Sequence, residues 1–138
     1  MAKQEDIIKV LQGERNLSNV DLSEANLSGL NLNGVDLSGA NLSNTNMKDT
    51  NLTDANLTNA NLIRAELSGS NLTGANLIKA DMSDSNLMFA KLSCSNLIFA
   101  KLVSTNLNYV NLVYANLTYA DLSQANMIEI ANLSYTNL

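Results

Sequence analysis

The 138-residue chain has no histidine, no tryptophan and no proline, and its only cysteine is Cys94. Without histidine there is no histidine-based catalytic triad, no histidine-ligated metal and no imidazole switch near neutral pH. A single cysteine excludes an intrachain disulfide and any zinc or iron–sulfur site built from several cysteines. These absences remove most of the common chemistry of metal sites and nucleophilic enzymes.

Positive charge and aromatic residues are also scarce. Aromatics make up 4% of the chain, and 8 basic residues stand against 13 acidic ones, so the net charge is −5. Such a charge argues against a nucleic acid as the main partner. The apolar segment at residues 7–11 is too short for a signal peptide or a membrane span, and we expect a cytoplasmic protein that does not enter a membrane.

What the chain does contain is a repeat of five residues. From Leu17 to Met127 every fifth residue is Leu or Met, 23 times in succession, and we call this position the centre of a repeat. The residue before the centre is nearly always Asn or Asp, and the residue two before it is usually small or β-branched. The two residues after the centre vary and are mostly polar.

A period of five fits neither a helix nor a continuous strand. Successive centres would spread around a helix of about 3.6 residues per turn, and they would alternate between the two faces of a strand. A turn in every repeat instead lets each centre, and the residue two before it, point to a common axis. The predicted structural core from the middle of the chain consists of Leu52, Leu57, Leu62, Leu67, Leu72, Leu77, Met82 and Leu87.

The segments Ala25–Gly29, Ala55–Asn59 and Ala115–Tyr119 show the motif in its clearest form. In these segments, and over residues 15–138, the chain resembles the pentapeptide-repeat family. The resemblance implies an all-β solenoid, a right-handed quadrilateral β-helix in which residues twenty apart stack. At four repeats per coil, the 23 centres make about six coils. We expect two parts, an N-terminal capping helix in residues 1–14 and the β-helix in residues 15–138.

The two ends of the repeat array differ. Residues 3–12 predict a short helix that covers the first coil, although a frayed amphipathic tail is the alternative. The residues expected to form its apolar face are Ile7, Ile8 and Leu11. After Met127 the register slips by one residue before the motif resumes at Asn132, and no second capping helix is predicted.

The 4 Tyr and 2 Phe residues all lie from Phe89 onward, at the second position after a centre, where side chains should point outward. We expect three stacks between neighbouring coils, formed by Phe89 with Tyr109, Phe99 with Tyr119, and Tyr114 with Tyr135. These stacks are either ordinary ladder contacts or part of an interface. The candidate interface residues are Phe99, Tyr109, Tyr114, Tyr119, Ile128, Ile130 and Tyr135. A two-fold homodimer through the C-terminal coils is the expected assembly, and a monomer with a frayed last coil is the alternative.

Charge is distributed unevenly over the four sides. The side that contains Leu22 carries a net charge of −3. On this side Asp81, Lys101 and Asp121 should form a ladder of alternating charge. Arg64 should lie above Asp84 on the same side. We expect exposed pairs of this kind to contribute little to stability.

No residue pattern predicts a catalytic site, a metal or a cofactor. Cys94 has no neighbouring histidine to activate it, and Asp81 and Asp84 are not expected to line a pocket. We therefore expect a non-catalytic structural or protein-interaction module whose partner is unidentified. The family resemblance also implies an alternative, a DNA mimic that binds DNA gyrase or topoisomerase IV and confers quinolone resistance. The mildly acidic side, interrupted by Arg64 and Lys101, fits a phosphate track poorly.

Overall fold

The computed structural model describes residues 1–128 and 132–138. One helix, α1 (Gln4–Leu11), precedes a stack of coils. In the described residues the coils contain no extended strand, only single-residue parallel bridges between residues twenty apart, beginning with Asn16 and Asp36. Each bridge is made by the residue before a centre.

In the described residues a β-turn follows the centres from Leu17 to Leu122, and again Leu133, and creates the corner between two sides. The N–H of Ala25, for example, donates to the carbonyl oxygen of Leu22 at 3.0 Å. The third residue of each turn, two after the centre, has a positive φ, between 55° and 63° where it is not glycine. Type II turns require this conformation, which glycine, asparagine and aspartate tolerate best.

Hydrogen bonds between coils hold the stack together on every side. Asn56 donates its N–H to the carbonyl oxygen of Val35 at 2.9 Å, and its own carbonyl accepts the N–H of Leu37 at 2.8 Å. At the corner, the N–H of Gly39 donates to the carbonyl of Thr58 at 2.9 Å. The same pattern recurs every five residues with partners in the next coil. The predicted four-sided β-helix is confirmed.

The core consists of the centres and the small residues two before them. The centres from Leu17 to Leu117 are at most 5% exposed, and all eight members of the predicted core are at 0%. Each buried Leu or Met contributes on the order of 1.5–3 kcal/mol. Most hydroxyl groups in the small inward position donate to backbone carbonyls, as in the 2.6 Å bond from Thr45 Oγ1 to the carbonyl of Leu42.

The helix α1 packs on the first coil with a different face from the one predicted. Asp6 and Val10 are buried and Ile7 is partly buried, whereas Ile8 is 45% and Leu11 73% exposed. The expected apolar face was wrong for Ile8 and Leu11. Because Asp6 bonds to the edge of the coil, the residue four positions later, Val10, shares its side of the helix and enters the core.

At Asp21, Lys3 and Asp6 supply the hydrogen-bond partners that a preceding coil supplies elsewhere in the stack. The N–H of Lys3 donates to the carbonyl of Asp21 at 3.0 Å, and the N–H of Asp21 donates to Asp6 Oδ2 at 2.9 Å. Asp6 Oδ1 also accepts a 2.7 Å hydrogen bond from Lys9 Nζ. The Lys9 bond, followed by the backbone bond, holds the pKa of Asp6 below its ordinary value. The helix thereby satisfies edge groups that would otherwise be open to another strand.

At the other end the ladder continues across the register slip. Asn111 bridges Asn132 and Asn116 bridges Asn137, which are 21 residues apart rather than 20. The spacing between bridged residues therefore changes from 20 to 21 beyond the bridge between Asn106 and Asn126. The centres Met127 and Leu133 are 36% and 38% exposed, unlike those of the inner coils. Ile130 of the candidate interface lies outside the described residues.

Candidate functional site: the aromatic corners

The second residue after each centre lies at a corner of the rod, and the corners form four columns. We number them along one coil: corner 1 at Phe89, corner 2 at Cys94, corner 3 at Phe99 and corner 4 at Ser104. Corners 1 to 3 gain aromatic residues in the C-terminal coils, and corner 4 remains polar. The column members from residue 84 onward are Phe89 and Tyr109 at corner 1; Cys94, Tyr114 and Tyr135 at corner 2; Phe99 and Tyr119 at corner 3; and Asp84, Ser104 and Gln124 at corner 4.

All three predicted aromatic stacks are confirmed. The ring centroids of Phe89 and Tyr109 are 4.8 Å apart, those of Phe99 and Tyr119 are 5.0 Å apart, and the interplanar angle is 12° in both pairs. Tyr114 and Tyr135 stack at 4.8 Å and 9° across the register slip. The ring separation matches the coil spacing of about 4.8 Å, so the backbone ladder places the rings in contact.

The stacked rings remain open to solvent. Their exposed fractions run from 42% for Tyr109 to 77% for Tyr135. Because the rings stack along the rod, their edges point outward. Tyr119 and Tyr135, the last rings of their columns, are the most exposed. Aromatic residues of this kind are common anchors in protein interfaces.

The aromatic corners carry a conformational cost. Phe89 has φ of 63° and Tyr119 has φ of 61°, a backbone region that is unfavourable for bulky side chains. A left-handed residue other than glycine costs about 1–2 kcal/mol. Stacking recovers roughly 0.5–1.5 kcal/mol per aromatic pair. The fold does not require this arrangement, since Gly29 and Gly69 occupy the same column as Phe89.

At three glycine corners of the earlier coils, an added Cβ atom would collide with a side chain of the preceding coil. A Cβ atom added at Gly39 would collide with the side-chain oxygen of Asn19, and one at Gly74 with that of Asp54. Gly69 has the same relation to Asp49. The short polar side chain of one coil thus lies over the glycine of the next.

Between the corners, each side is covered by the side chains of the residues before the centres. Asn106 Nδ2 donates to Asn86 Oδ1 at 3.1 Å, which links neighbouring coils. The same oxygen of Asn86 accepts the N–H of Met88 at 3.1 Å. These amides close the turns and link the coils, and their bonding is structural.

The charge ladder forms only in part. Lys101 Nζ is 3.1 Å from Asp81 Oδ2, and Asp121 bridges Lys101 through the backbone. Burial acts to raise the pKa of Asp81, but hydrogen bonds from Ser83 and Lys101 outweigh it, and the pKa lies below its ordinary value. Hydrogen bonds from Ser123 lower the pKa of Asp121.

The predicted contact between Arg64 and Asp84 is wrong. Within residues 1–128 and 132–138, the ion pairs are Met1–Glu24, Lys9–Asp6 and Lys101–Asp81. Both residues occupy corner 4, and their coils are joined there through the backbone, since the N–H of Arg64 donates to the carbonyl of Ser83 at 3.0 Å. Stacking of their backbones therefore does not by itself bring their charges together.

Besides the stacked rings, the described residues include an exposed thiol and a cavity. Cys94 is exposed at corner 2. A cavity of about 560 Å³ lies between α1 and the first coil, lined in part by Ile7, Glu24 and Ala25. Among the described residues there is no group of three or more potential metal ligands, and no helix is long and apolar enough to cross a membrane.

The sequence profile of pentapeptide repeats (8 copies) matches residues 16–54, 50–88 and 90–127. The chain belongs to the pentapeptide-repeat family. No curated protein matches it.

Solved structures of pentapeptide-repeat proteins are similar to this chain. A protein from the cyanobacterium Cyanothece 51142, Rfr23, is 27% identical with a TM-score of 0.73, over 96% of this chain and 97% of that one. A protein from Nostoc PCC 7120 is 32% identical with a TM-score of 0.64, over 72% of this chain and 80% of that one. The plasmid-mediated fluoroquinolone resistance protein QnrB1 is 15% identical with a TM-score of 0.59, over 89% of this chain and 82% of that one, which shows a shared fold alone.

The structure distributes the candidate interface residues over three corners rather than one patch. Tyr109 lies at corner 1, Tyr114 and Tyr135 lie at corner 2, and Phe99 and Tyr119 lie at corner 3. Ile128 is 85% exposed near the last coil. The sequence interpretation overlooked the positive φ of the corner position. Glycine, asparagine and aspartate fill most of the corner positions before Phe89, with Glu24, Arg64 and Lys79 as the exceptions, and this bias carried the signal.

Proposed function

We propose that this protein is a non-catalytic interaction module, a rigid rod that presents aromatic corners to a protein partner. One observation carries the proposal: exposed Phe and Tyr side chains occupy left-handed positions in the C-terminal coils, where the fold itself favours glycine or asparagine. Costly side chains that the fold does not need are a reason to look for a function.

A stacked β-helix is suited to this role because its corners hold side chains in fixed positions. Each ring is restrained by its neighbour along the rod, so little side-chain entropy remains to be lost on binding. We place the rod in the cytoplasm, a reducing compartment in which the exposed thiol of Cys94 remains free.

The test compares two sets of corner substitutions in the full chain. One variant combines Phe99→Ser, Tyr114→Ser and Tyr119→Ser; the control combines Asn44→Ser, Asn59→Ser and Asp84→Asn at corners of the earlier coils. The wild type and the control should capture the same partner from a cell extract, and the aromatic variant should lose it. The captured protein is then titrated with each purified variant by calorimetry.

Thermal unfolding followed by circular dichroism shows whether the variants remain folded. A partner that binds a folded aromatic variant as tightly as the wild type would contradict the proposal. So would loss of binding in the control with the aromatic variant unaffected.

The topoisomerase-directed alternative has a separate test. A DNA mimic needs a run of negative charge, and the side containing Leu22 is interrupted by Arg64 and Lys101. We therefore expect no effect of the purified protein on supercoiling by DNA gyrase. Inhibition of supercoiling by micromolar protein, or relief of quinolone poisoning, would favour the alternative over the present proposal.

A further inference from the structure

We propose that the side between corner 3 and corner 4 binds a second copy of this chain, packed alongside the first in antiparallel orientation. The inference rests on the proposed function and deepens it by naming the partner of corner 3. It depends on the order of charges along this side, which becomes self-complementary when the rod is turned end for end.

The charges occupy the outward position before the centre on three successive coils. Asp81, Lys101 and Asp121 are joined in that order by parallel bridges. Lys101 Nζ is 3.1 Å from Asp81. In the described part of the chain no cation forms an ion pair with Asp121. The ladder therefore ends on an exposed carboxylate without a charged partner.

A two-fold axis can supply that partner. An axis in the contact plane and at right angles to the rod turns one copy antiparallel and brings like corners together. If the axis passes between the coils of Lys101 and Asp121, then Lys101 of each copy faces Asp121 of the other. The two contacts are equivalent by symmetry, and both unlike charges are matched.

The same operation matches the side chains at both corners. At corner 3, Phe99 of one copy faces Tyr119 of the other, and these rings are 50% and 75% exposed. At corner 4, Ser104 faces Gln124; within one chain these two residues are joined by a 3.2 Å hydrogen bond. The contact thus has an aromatic edge and a polar edge on either side of the charge ladder.

Two positions of the axis along the rod place Lys101 opposite an aspartate, and they differ in the contacts that they form. An axis between the coils of Asp81 and Lys101 would oppose two groups that already pair within each chain. It would also set Lys79, rather than an aromatic ring, against Phe99 at corner 3. Only the register between Lys101 and Asp121 provides a cation for Asp121 and brings exposed rings together.

The interface is small, and the dimer is accordingly weak. Its central contacts span two coils, about 10 Å along the rod. This is the scale of transient rather than obligate interfaces. Since the axis is a closed two-fold, pairing of this side does not propagate into fibres.

The experiment uses sedimentation of the purified full chain up to about 300 µM, a range suited to weak interfaces. The wild type should show a monomer–dimer equilibrium. Lys101→Glu alone and Asp121→Lys alone should each weaken dimerisation at least about tenfold, because like charges then face each other. An equimolar mixture of the two variants should dimerise again. Across the axis, the introduced carboxylate of one variant then faces the introduced ammonium group of the other, and the unchanged Asp121 faces the unchanged Lys101.

Rescue in the mixture separates this model from an effect on stability, because the two substitutions are in different molecules. Lys91→Glu, on the side between corners 1 and 2, makes the same charge change and should leave dimerisation unaltered. Ile128→Asp, near the last coil, should also have no effect. Tyr119→Ser should weaken the dimer, and Tyr114→Ser at corner 2 should not.

A wild type that remains monomeric at the highest concentration would overturn the inference. So would a mixture that stays monomeric, or a dimer sensitive to Ile128→Asp but not to Lys101→Glu. A monomeric wild type whose corner 3 still binds another protein would overturn the inference while leaving the proposed function intact. A dimer with no other captured partner would support the inference and limit the proposed function to self-association.

Discussion

The coils before Phe89 and the coils that follow it share one backbone but differ at their corners. In the earlier coils most left-handed positions hold glycine, asparagine or aspartate, and in places a side-chain oxygen lies over the glycine of the next coil. In the later coils aromatic rings take the same positions and stack. The comparison shows that the inward residues maintain the fold, whereas the corners are free to acquire other chemistry.

The two ends of the rod differ in a similar way. At the first coil, α1 satisfies the backbone of Asp21 and buries Val10. At the last coil the centres Met127 and Leu133 are partly exposed within the described residues. Ladder hydrogen bonds and core burial both depend on having a neighbour along the rod.

Substitutions of core leucines have the largest expected effect on stability, and they test whether the centres contribute equally throughout the stack. Leu72→Ala and Leu77→Ala should each lower the free energy of unfolding by about 2–5 kcal/mol, because each leaves a cavity in a fully buried column. Leu122→Ala, at a half-buried centre in the later coils, should cost less, as should Ser68→Ala on the surface. Urea denaturation measures all four. Equal losses at Leu77 and Ser68 would contradict the inward assignment.

Glycine substitutions test whether the contact between a polar side chain and the glycine of the next coil affects stability. Gly29→Ala and Gly74→Ala should each cost about 1–2 kcal/mol, because φ is +68° and +70° at these positions. Gly74→Ala should be the more harmful, since its Cβ displaces the carboxylate of Asp54, whereas nothing lies near the Cβ position of Gly29.

The double variant Gly74→Ala with Asp54→Ala provides the control for that contact. Relative to Asp54→Ala alone, the Gly74→Ala change should cost no more than Gly29→Ala in the wild type. If the two glycine substitutions are equally costly in the wild type, the contact with Asp54 has no energetic weight.

The pH dependence of stability tests the contact between α1 and the first coil. Hydrogen bonding to Lys9 and to the backbone of Asp21 places the folded-state pKa of Asp6 below the ordinary value of 3.8. The ionised carboxylate therefore stabilises the fold above that value, and this contribution is lost as the pH falls through the lower, folded-state pKa. Asp6→Asn should reduce the loss of stability below pH 3.8 in urea titrations. Asp84→Asn, at a corner, serves as the comparison, and an identical acid profile for Asp6→Asn and the wild type would contradict the assigned role.

The smallest expected effects on stability come from removing buried hydroxyl groups at the inward position two residues before a centre. Ser85 Oγ has no hydrogen-bond partner among the described residues. The carbonyl of Met82 that would accept it already accepts Thr105 Oγ1 at 2.8 Å. Ser85→Ala should therefore be neutral or slightly stabilising.

Ser70→Ala is the matched change. It removes a 2.6 Å bond to the carbonyl of Leu67 and should cost about 1 kcal/mol. Thermal and urea unfolding compare the two variants. A larger loss at Ser85 than at Ser70 would show that Ser85 is bonded in solution.

The sequence predicted which aromatic residues stack, but it did not predict that the stacks lie at three separate corners of the rod. A twenty-residue stacking period was enough to pair Phe89 with Tyr109 and Phe99 with Tyr119. The same reasoning treated charged residues as pairs once they were stacked, which was right for Lys101 and Asp81 and wrong for Arg64 and Asp84. Lys101 and Asp81 lie before their centres on one side of the rod and form an ion pair, whereas Arg64 and Asp84 stack at corner 4 without forming one.

The sequence by itself determined which residues face inward, because an unbroken period of five permits one register for the core. The family resemblance supplied the four-sided coil, and with it the twenty-residue spacing that decides which residues stack. The tertiary structure decided the left-handed backbone at corners such as Arg64 and Phe89, whose residue types do not favour it, the face of α1 that is buried, and the continuation of the ladder at Asn132 with a spacing of 21 residues. The corner conformation follows from closing a four-sided coil, and α1 turns Asp6 and Val10 inward because the exposed edge at Asp21 needs a hydrogen-bonding partner. These outcomes depend on contacts between coils, which the types of the residues concerned do not encode.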